Sequence, residues 1–541
     1  MQKVRGQRIL SGAFAIFILA FALRIIHIAS IYKTSPFFDI LPGDLGAYDR
    51  WAKQIVEEGW LGKDIFYQDP LYPYFLAFFY KVIGRDFFWI YMVQAFMGAA
   101  SSLLLVVLGT KVFNRTTGIF AGLLYGLYGP AIYFDGLLLK VTLSAFLLIL
   151  AIYLFLHKEF KDVGPSQFFS GFFFGLACLT RANFLLILPV VFFTLLLHKN
   201  AWLKKRVGMI LLFFIGVLTA LGPVVARNYA VGNELVLTTA QAGQNFYIGH
   251  NPDANGTYIK LAFVRPDPLH EQEDFKKEAE KRTGRKLSSS EASGYWLQQG
   301  IAFIQNNPLA DLKLTGKKLL LFLSSYEIPD NHNFYFHQRY SYILQNLPIS
   351  FGMLAPFFLL GLLAMFFERR TAPVFLFFVQ VVYIVSVIIF FVFSRYRMVA
   401  LPLFCLSAGY GLFLLQDHFR KAQWRKLAAS LIIVGCGFAL AGFQLIEPFD
   451  FSHSFTDEGV AYDMKNEPAK ALSSYKRALE INPDYFRALD RLGKLQLQQK
   501  EYEGARNTYR RIIGLDPDSA DAKYQLMFLD TLGLEPEAGK K

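Results

Sequence analysis

Eleven apolar runs of 15 to 24 residues recur between residues 9 and 446. A helix needs about 20 mainly apolar residues to cross the hydrocarbon core of a bilayer. Because lipid offers the backbone no hydrogen-bond partners, each run must satisfy its own backbone as a helix. The sequence therefore predicts an all-α, polytopic membrane helical bundle of about 11 transmembrane helices. The predicted spans are 9–32, 87–110, 117–134, 137–156, 167–181, 183–197, 208–228, 348–367, 372–393, 397–415 and 427–446.

Basic residues lie mainly on one side of these spans. With the N-terminus in the cytoplasm, the inner stretches hold 17 Lys and Arg over 48 positions, whereas the first outer loop holds 6 over 54. An excess of Lys and Arg marks the cytoplasmic side of a membrane. This predicts a multi-pass protein of the bacterial inner (plasma) membrane, with a cytoplasmic N-terminus and an extracytoplasmic C-terminal part. The same distribution explains the net charge of +13 without a nucleic-acid partner.

Two outer loops are long, and we assign them with the spans to one transmembrane domain, 1–447. Loop 33–86 contains a predicted amphipathic helix, Asp44–Glu58, and an aromatic stretch, Pro70–Val82, which suits the membrane interface. Loop 229–345 contains two further predicted helices. The first follows Ser288-x-x-Glu291, a pattern in which the two side chains cap the helix N-terminus, and the second covers Leu309–Ser325.

The C-terminal part changes to a soluble helical composition with an internal period of 34 residues. The recurring pairs are Gly459 and Gly493, Ala471 and Ala505, Tyr475 and Tyr509, and Pro483 and Pro517. This period and these residue types resemble the tetratricopeptide repeat. We therefore predict a helical-repeat domain at 452–535, with two repeats and a capping helix from Ala520. Two repeats bury little surface alone, so we expect them to pack on the membrane domain or on a partner.

Acidic residues cluster just after the first span, at Asp39, Asp44 and Asp49. Asp44 precedes the periodic run of the predicted helix and could cap it. Asp49 could pair with Lys53 one helical turn later. Alternatively, these carboxylates face a substrate at the outer membrane surface, and residues alone leave both interpretations open.

The order of several short motifs resembles the GT-C superfamily of membrane glycosyltransferases. The similarity is to the branch that contains the protein O-mannosyltransferases and the lipid A aminoarabinose transferase. It covers roughly residues 9–415. The matching positions are Asp44, Tyr48 and Ala52 at four-residue spacing, Pro70-Leu71-Tyr72-Pro73-Tyr74, Asp135, and Arg395-Tyr396 followed by Pro402. The chain departs from the branch at Leu45, where an acidic residue is frequent, and at Gln68-Asp69, where a basic residue is frequent.

This resemblance implies a polyprenyl-phosphate-linked sugar as donor and an inverting transfer. Asp44 would be the general base, with Tyr48 and Asp49 near the substrate. Asp135 would orient the acceptor, or hold a divalent cation such as Mg or Mn together with Asp44. A lone Asp135 could equally snorkel to water or pair with Lys140.

Arginines near the outer ends of spans are the candidates for binding the donor phosphate, since their forked donors suit phosphate oxygens. They are Arg181, Arg227, Arg395 and Arg397, with Tyr396 between the last two. Glu327 and His332 lie among aromatic residues before the eighth span and suit contact with sugar or lipid, or an interfacial anchor. We find no glycine-rich phosphate loop in the sequence, which disfavours a soluble nucleotide donor.

The sequence therefore predicts a glycosyltransferase that acts at the extracytoplasmic face on a protein, lipid or glycan acceptor, with a protein partner or acceptor at the repeats. Three other classes stay open: a non-catalytic membrane scaffold that recruits envelope proteins through its repeats, a transporter or flippase of lipid-linked sugars, and a polymerase or ligase of surface polysaccharide. A transporter would be expected to carry charged residues in the middle of its spans.

Overall fold

The computed structural model describes residues 2–63, 65–157, 163–198, 201–265 and 268–532. Parts of the predicted inner stretches 1–8, 157–165 and 198–207 lie outside the described residues, as do residues 533–535 of the predicted repeat domain. Every regular element in the described part is helical, which confirms the all-α class.

The N-terminal part contains the first outer loop and seven of the predicted spans. Its helices are α1 (Gln2–Thr34), α2 (Asp44–Glu58), α3 (Leu71–Ile83), α4 (Phe87–Val112), α5 (Arg115–Gly126), α6 (Gly129–Asp135), α7 (Val141–Leu156), α8 (Pro165–Thr180), a 3-10 helix (Ala182–Ile187), α9 (Leu188–Leu196) and α10 (Leu203–Gly232). The amphipathic helix α2 has the predicted bounds.

The second outer loop is followed by the last four predicted spans. Its helices are α11 (Ala242–Gly249), α12 (Pro268–Thr283), α13 (Ser289–Asn306), α14 (Pro308–Leu323), α15 (Phe334–His337), a 3-10 turn (Gln338–Tyr340) and α16 (Tyr342–Asn346). The predicted mutual capping of Ser288 and Glu291 is confirmed at the start of α13. The spans are α17 (Phe351–Phe366), α18 (Thr371–Ile388), α19 (Ser394–Arg420) and α20 (Trp424–Gly442).

The chain is a multi-pass membrane protein, because six helices of the described part are long and apolar enough to cross a bilayer. These are Ser11–Thr34, Phe87–Val112, Leu203–Gly232, Thr371–Ile388, Ser394–Arg420 and Trp424–Gly442. The bent pair α5 and α6 adds a seventh if it forms one span. Other predicted spans correspond to shorter apolar helices, such as α7 and α17. The number eleven stays a prediction.

The bend between α5 and α6 measures 57° and lies at Gly126–Gly129. Pro130 at the start of α6 has no N–H to continue the helix of α5. The break frees the carbonyl of Gly126, and Arg24 Nη1 of α1 donates a hydrogen bond to it at 3.2 Å. A buried arginine therefore satisfies the backbone where the apolar helix is interrupted.

A close crossing of α8 and α10 fixes the end of α8. A Cβ atom on Gly171 would lie 1.9 Å from the carbonyl oxygen of Phe213, and one on Gly216 would lie 2.1 Å from that of Phe168. Only glycine permits this approach of two helix backbones. The crossing holds the helix that ends immediately before Arg181.

The second outer loop is fastened to the end of α18 by a buried polar cluster. His250 Nδ1 lies 2.5 Å from Asp311 Oδ1, and its Nε2 lies 2.8 Å from the carbonyl oxygen of Ile389. Lys318 Nζ donates to the carbonyl oxygen of Gly249 at 2.8 Å. Because these groups hold the backbone just before α19 begins, they help to set the position of Ser394 and Arg395.

The predicted repeats are confirmed as the helix pairs α21 (Ser452–Met464) with α22 (Pro468–Ile481), and α23 (Phe486–Gln498) with α24 (Tyr502–Leu515). The capping helix is α25 (Ala520–Thr531). The ring of Tyr475 packs where a Cβ on Gly459 would be 2.3 Å away, and Tyr509 packs in the same way on Gly493. The small residue of one helix thus admits the aromatic ring of the next, as the 34-residue period predicts.

The described chain forms two compact units. The first contains Met1–Lys33, Gly43–Asp330 and Gln338–Glu447. The second contains Pro448–Lys541 together with two short pieces of the outer loops, Thr34–Pro42 and Asn331–His337. Within this second unit, the ring of Phe336 packs on Phe455 with centroids 5.0 Å apart, and Lys465 pairs with Asp39 at 2.6 Å. The repeats therefore fold with segments from both outer loops of the same chain.

Candidate active site

Arg395, the second residue of α19, lies between two carboxylates. Its Nη1 is 2.5 Å from Asp44 Oδ2 and 2.7 Å from Asp330 Oδ2. Asp44 is the first residue of α2. Asp330 lies in the second outer loop and is the last residue of the Gly43–Asp330 part of the first compact unit. The three side chains are 14 to 21% exposed, so each keeps a small accessible surface. The structure thus brings two predicted site residues together and adds one that was not predicted.

The segment that carries Asp330 runs beside the start of α19. Ser394 N donates to the carbonyl oxygen of Ile328 at 3.0 Å. Arg397 Nη2 donates to Glu327 Oε2, and Tyr128 OH donates to Glu327 Oε1, each at 2.6 Å. Arg397 and Glu327 were predicted to bind substrate, but both are buried and bonded to each other. In this arrangement they align the backbones that present Arg395 and Asp330.

Arg181 lies at the interruption between α8 and the 3-10 helix, as predicted. Only 6% of the residue is exposed, and its guanidinium stacks 4.4 Å from the ring centroid of Tyr396. Within the described part of the chain, its buried Nε has no hydrogen-bond partner. Tyr396 is itself held by the hydroxyl of Tyr383, which donates to its backbone carbonyl at 2.6 Å. Arg181 is therefore a positioned cation with unused hydrogen-bonding capacity.

Asp69 and Lys140 form a buried ion pair next to Arg181. Lys140 Nζ contacts Asp69 Oδ2, and the backbone N–H of Ala182 donates to Asp69 Oδ1 at 3.3 Å. Asp69 lies in the loop before α3, and Lys140 immediately precedes α7. The carboxylate thereby links the start of α7 to the backbone beside Arg181.

The phenol of Tyr48 on α2 lies close enough to these charged side chains for them to alter its pKa. Its pKa is raised above the ordinary value, first by burial and then by the charge of Asp44. The charges of Arg395, Asp69 and Arg181 also act on it. Tyr48 therefore stays a neutral hydrogen-bond donor among charged neighbours, and its ring packs on that of Tyr72 with centroids 5.3 Å apart.

Glu271 of α12 is a third carboxylate near Asp44 and Asp330. Burial, followed by the charge of Asp44, raises the pKa of Glu271 to about 7. Arg395 acts in the opposite direction, and so does a hydrogen bond with Tyr67. The second outer loop thus contributes a group that changes charge near neutral pH.

Asp49 lies on α2 but has its own set of partners. Arg85 Nε and Tyr80 OH each donate to Asp49 Oδ1 at 2.8 Å, and Lys53 Nζ lies 3.1 Å from its Oδ2. Burial acts to raise the pKa of Asp49, but the bonds from Arg85, Tyr80 and Lys53 outweigh it and the pKa is lowered. The predicted pairing with Lys53 is confirmed, and the structure favours this role over substrate contact.

Asp135 is buried at the end of α6 and both of its carboxylate oxygens are engaged. Arg24 Nε donates to Oδ2 and Thr142 Oγ1 donates to Oδ1, each at 2.6 Å. Lys140, its predicted alternative partner, pairs with Asp69 instead. The described residues include no group of three His, Cys, Asp or Glu side chains that could hold a metal ion. A divalent cation held by Asp44 and Asp135 together with phosphate oxygens stays a prediction.

Two other predicted residues have local contacts of their own. Arg227 Nε donates to the carbonyl oxygen of Leu61 at 2.6 Å, and its guanidinium stacks 3.9 Å from the ring centroid of Phe66, so it holds the first outer loop. His332 belongs to the second compact unit, where its ring lies 6.0 Å from that of His337.

Sequence reasoning missed four residues of this group: Asp69, Lys140, Glu271 and Asp330. The sequence presents Asp69 only as a departure from the family pattern, and Lys140 only as a partner for Asp135. Asp330 lies beside the polar segment that was singled out before the eighth span. Glu271 gave no signal, because charged residues are common in a long polar loop.

Two segments of the chain match known families. Residues 68–225 match the family described as dolichyl-phosphate-mannose-protein mannosyltransferase, and residues 464–527 match the tetratricopeptide repeat. The first segment includes Asp69, Asp135, Lys140 and Arg181. No curated protein matches the chain in sequence.

Among solved structures, the chain is similar to an oligosaccharyltransferase from Archaeoglobus fulgidus. The complex of that enzyme with an inhibitory peptide and a dolichol-phosphate has 12% identity and a TM-score of 0.45, over 86% of this chain and 59% of the enzyme. The apo form has 14% identity and a TM-score of 0.40, over 84% of this chain and 59% of the enzyme. The chain therefore spans less than two thirds of that relative, and the likeness is too distant to transfer ligands or residue roles.

The two family matches agree with the buried cations and carboxylates in the membrane unit and with the helix pairs of the second unit. Residues 68–225 are therefore similar to the dolichyl-phosphate-mannose-protein mannosyltransferase family, and residues 464–527 are similar to the tetratricopeptide repeat.

Proposed function

We propose that the chain transfers a glycosyl group from a polyprenyl-phosphate-linked donor to the hydroxyl of a protein, lipid or glycan acceptor. The observation that carries this proposal is the shared location of a carboxylate and two arginines: Asp44 contacts Arg395, and Arg181 stacks on the neighbouring Tyr396. A transferase of this kind needs a proton acceptor for the incoming hydroxyl and cations for the departing phosphate. These three side chains supply both.

In the proposed reaction, the acceptor oxygen attacks the anomeric carbon and its proton passes to Asp44. The bond between that carbon and the phosphate oxygen breaks, and the electron pair leaves with the phosphate. Direct attack from the opposite side inverts the anomeric centre. A positioned general base contributes about 10²–10⁴-fold to such a rate, and fixed cations stabilise the charge that develops on the leaving group.

In our proposal, Arg395 contacts both the general base Asp44 and the donor phosphate. In the structure its charge is balanced by Asp44 and Asp330. When a donor phosphate binds, it competes with Asp44 for the guanidinium, and Asp44 is released toward the acceptor hydroxyl. Asp330 keeps one side of Arg395 in place during this exchange. Arg181, whose Nε has no hydrogen-bond partner among the described residues, adds a second cation.

We place the reaction at the extracytoplasmic face of the inner membrane. The support is the distribution of Lys and Arg, with 17 over 48 positions in the inner stretches and 6 over 54 in the loop that contains Asp44. A donor carried on a polyprenyl chain suits this position, since its tail stays in the lipid and its phosphate lies at the interface.

The experiment is complementation of cells that lack the gene, followed by mass spectrometry of their envelope glycoconjugates. The wild-type chain should restore a lost glycan, and Asp44→Asn should not, because an amide cannot accept the proton. Folding should survive, since Arg395 retains Asp330 as a partner. Asp417→Asn is the matched control, because Asp417 pairs with Lys421 near the far end of α19. A fully active Asp44→Asn chain would refute Asp44 as the base, and an unchanged glycoconjugate profile without the gene would refute the transferase.

A further inference from the structure

The ion pair of Lys140 and Asp69 is unusual because a lysine with little exposure is held at the same place as the proposed phosphate-binding arginines. The side chains of Lys140 and Asp69 are 15% and 7% exposed. The charges of Arg181 and Arg395 both act on Lys140. Three cations are therefore close enough to influence one another, and only Lys140 carries its charge on a flexible chain that can turn between partners.

The charges around Asp69 suit an anion that gains charge during the reaction. Lys140 and Arg181 carry two positive charges and Asp69 carries one negative charge, so these three side chains have a net charge of +1. A phosphodiester donor carries one negative charge. The phosphate monoester that leaves carries about −1.5 to −2 at pH 7. A further cation is needed to balance the charge that the phosphate gains as its bond to the sugar breaks. Lys140 can supply it by leaving Asp69.

Asp69 keeps one hydrogen bond when Lys140 turns away. Its second oxygen accepts a hydrogen bond from the backbone N–H of Ala182 at 3.3 Å. That contact, beside Arg181, keeps Asp69 in place when the ammonium turns away. A carboxylate without this second contact would make the release far more costly, since burying an unpaired charge is expensive.

We propose that Lys140 is a catalytic residue that binds the departing phosphate. Its ammonium pairs with Asp69 before transfer and turns to the phosphate as the bond from the anomeric carbon to the phosphate oxygen breaks. The electron pair of that bond stays on the phosphate, the sugar carbon bonds to the acceptor oxygen, and the acceptor proton passes to Asp44. This role rests on the proposed function. In it, Lys140 is the side chain that binds the extra negative charge of the departing phosphate.

Two probes separate this role from a purely structural one. Polyprenyl phosphate mimics the departing monoester, and its methyl ester mimics the singly charged donor without requiring the identity of the sugar. Binding of both would be measured with the full chain in lipid nanodiscs. Lys140→Met should weaken binding of the monoester about 10-fold or more, as expected for a hydrogen bond between charged groups. It should change binding of the methyl ester less than about 3-fold, because the arginines remain.

Control variants complete the experiment. Lys277→Met makes the same chemical change on the exposed face of α12, where Lys277 pairs with Glu273, and should alter neither probe. Asp69→Asn leaves Lys140 in place and removes its competing carboxylate, so the monoester should bind a few-fold more tightly. This second variant tests the idea even if Lys140→Met fails to fold.

Each result has one meaning. A wild-type chain that binds neither probe overturns the proposed function and the inference together. Wild-type binding with equal losses for both probes in Lys140→Met, or with no loss, overturns the role of Lys140 and leaves the proposed function standing. Weaker monoester binding in Asp69→Asn also overturns it. A loss confined to the monoester, with tighter binding in Asp69→Asn, supports it.

Discussion

Arg395 and Asp44 are 351 positions apart in the sequence, and a hydrogen bond of 2.5 Å joins Arg395 Nη1 to Asp44 Oδ2. The first outer loop supplies the carboxylate, and the start of α19 supplies the cation. Asp330 contacts the same nitrogen from the second outer loop. Because Arg395 joins both loops, a ligand that competes for this residue acts on both of them at once.

Asp135 provides a sharp test between a structural and a catalytic role. Asp135→Asn removes the charge that pairs with Arg24, which is fully buried, and breaking a buried ion pair on one side costs about 3–5 kcal/mol. We expect a lower free energy of unfolding and a lower yield of folded protein. The activity of the fraction that folds should be close to that of the wild type. Unfolding in detergent, together with transfer per folded molecule, checks this prediction.

The double variant Arg24→Met with Asp135→Leu is the control for the Asp135 prediction. Apolar side chains of similar size often replace a buried ion pair at little cost. The double variant should therefore recover much of the stability that Asp135→Asn loses. If the double variant folds well but transfers no sugar, Asp135 or Arg24 takes part in the reaction. Such a result would also revive the transporter hypothesis, which expects functional charges within the spans.

The pH dependence of stability should report on Glu271. Burial, and next the charge of Asp44, raise its folded pKa to about 7, from an ordinary value of 4.5. The folded chain therefore binds this proton more readily than the unfolded chain between these two pKa values. The stabilisation is present at low pH and is lost as pH rises through about 7. The loss is at most about 3 kcal/mol and smaller where water screens the charges.

Glu271→Gln should remove this loss. The free energy of unfolding of the variant should therefore fall less as pH rises, and it should exceed that of the wild type at pH 8. Glu273→Gln on the same helix is the control. Hydrogen bonds from Lys277 and Arg265 lower the pKa of Glu273, which is half-exposed, so its contribution has the opposite sign. Thermal unfolding of both variants from pH 5 to pH 8 measures the difference. A Glu271→Gln profile that parallels the wild type would contradict the assigned pKa.

Local patterns determined what could be predicted from the sequence. The bounds of α2 follow from its amphipathic period, and the interruption before the 3-10 helix follows from Arg181 within an apolar run. The repeat helices follow from the period of 34 residues. Each of these features is set by neighbours within about one or two helical turns or by an exact recurrence.

The partners of the charged residues could not be predicted, because they depend on how distant helices pack. Asp135 is 111 positions from Arg24, and Asp69 is 71 positions from Lys140. The apolar pattern of a span does not specify which neighbour it meets. The motif order named Asp44 and Arg395, which are in contact in the structure, and also Asp135, whose observed partners are Arg24 and Thr142.

The repeats allow a prediction about acceptor use. The second compact unit contains Thr34–Pro42, which ends two residues before Asp44, and Asn331–His337, which begins immediately after Asp330. Deleting 452–541 removes the partners of both segments, including the ring contact of Phe455 with Phe336. We expect both segments to become cleavable by protease. Acceptor use should fall more than donor binding, because Arg181 and Lys140 lie on other parts of the chain.

Point variants make the same test without a large truncation. Phe455→Ala removes the ring that packs on Phe336, whereas Phe528→Ala makes the same change at an exposed position of the capping helix. Limited proteolysis with mass spectrometry should detect new cuts within 34–42 and 331–337 only for Phe455→Ala. Equilibrium binding of polyprenyl phosphate and transfer to the native acceptor would be compared for the same two proteins. Equal loss of donor binding and of acceptor use would mean that the repeats stabilise the whole chain. Unchanged transfer with new cuts would mean that the acceptor does not depend on these segments.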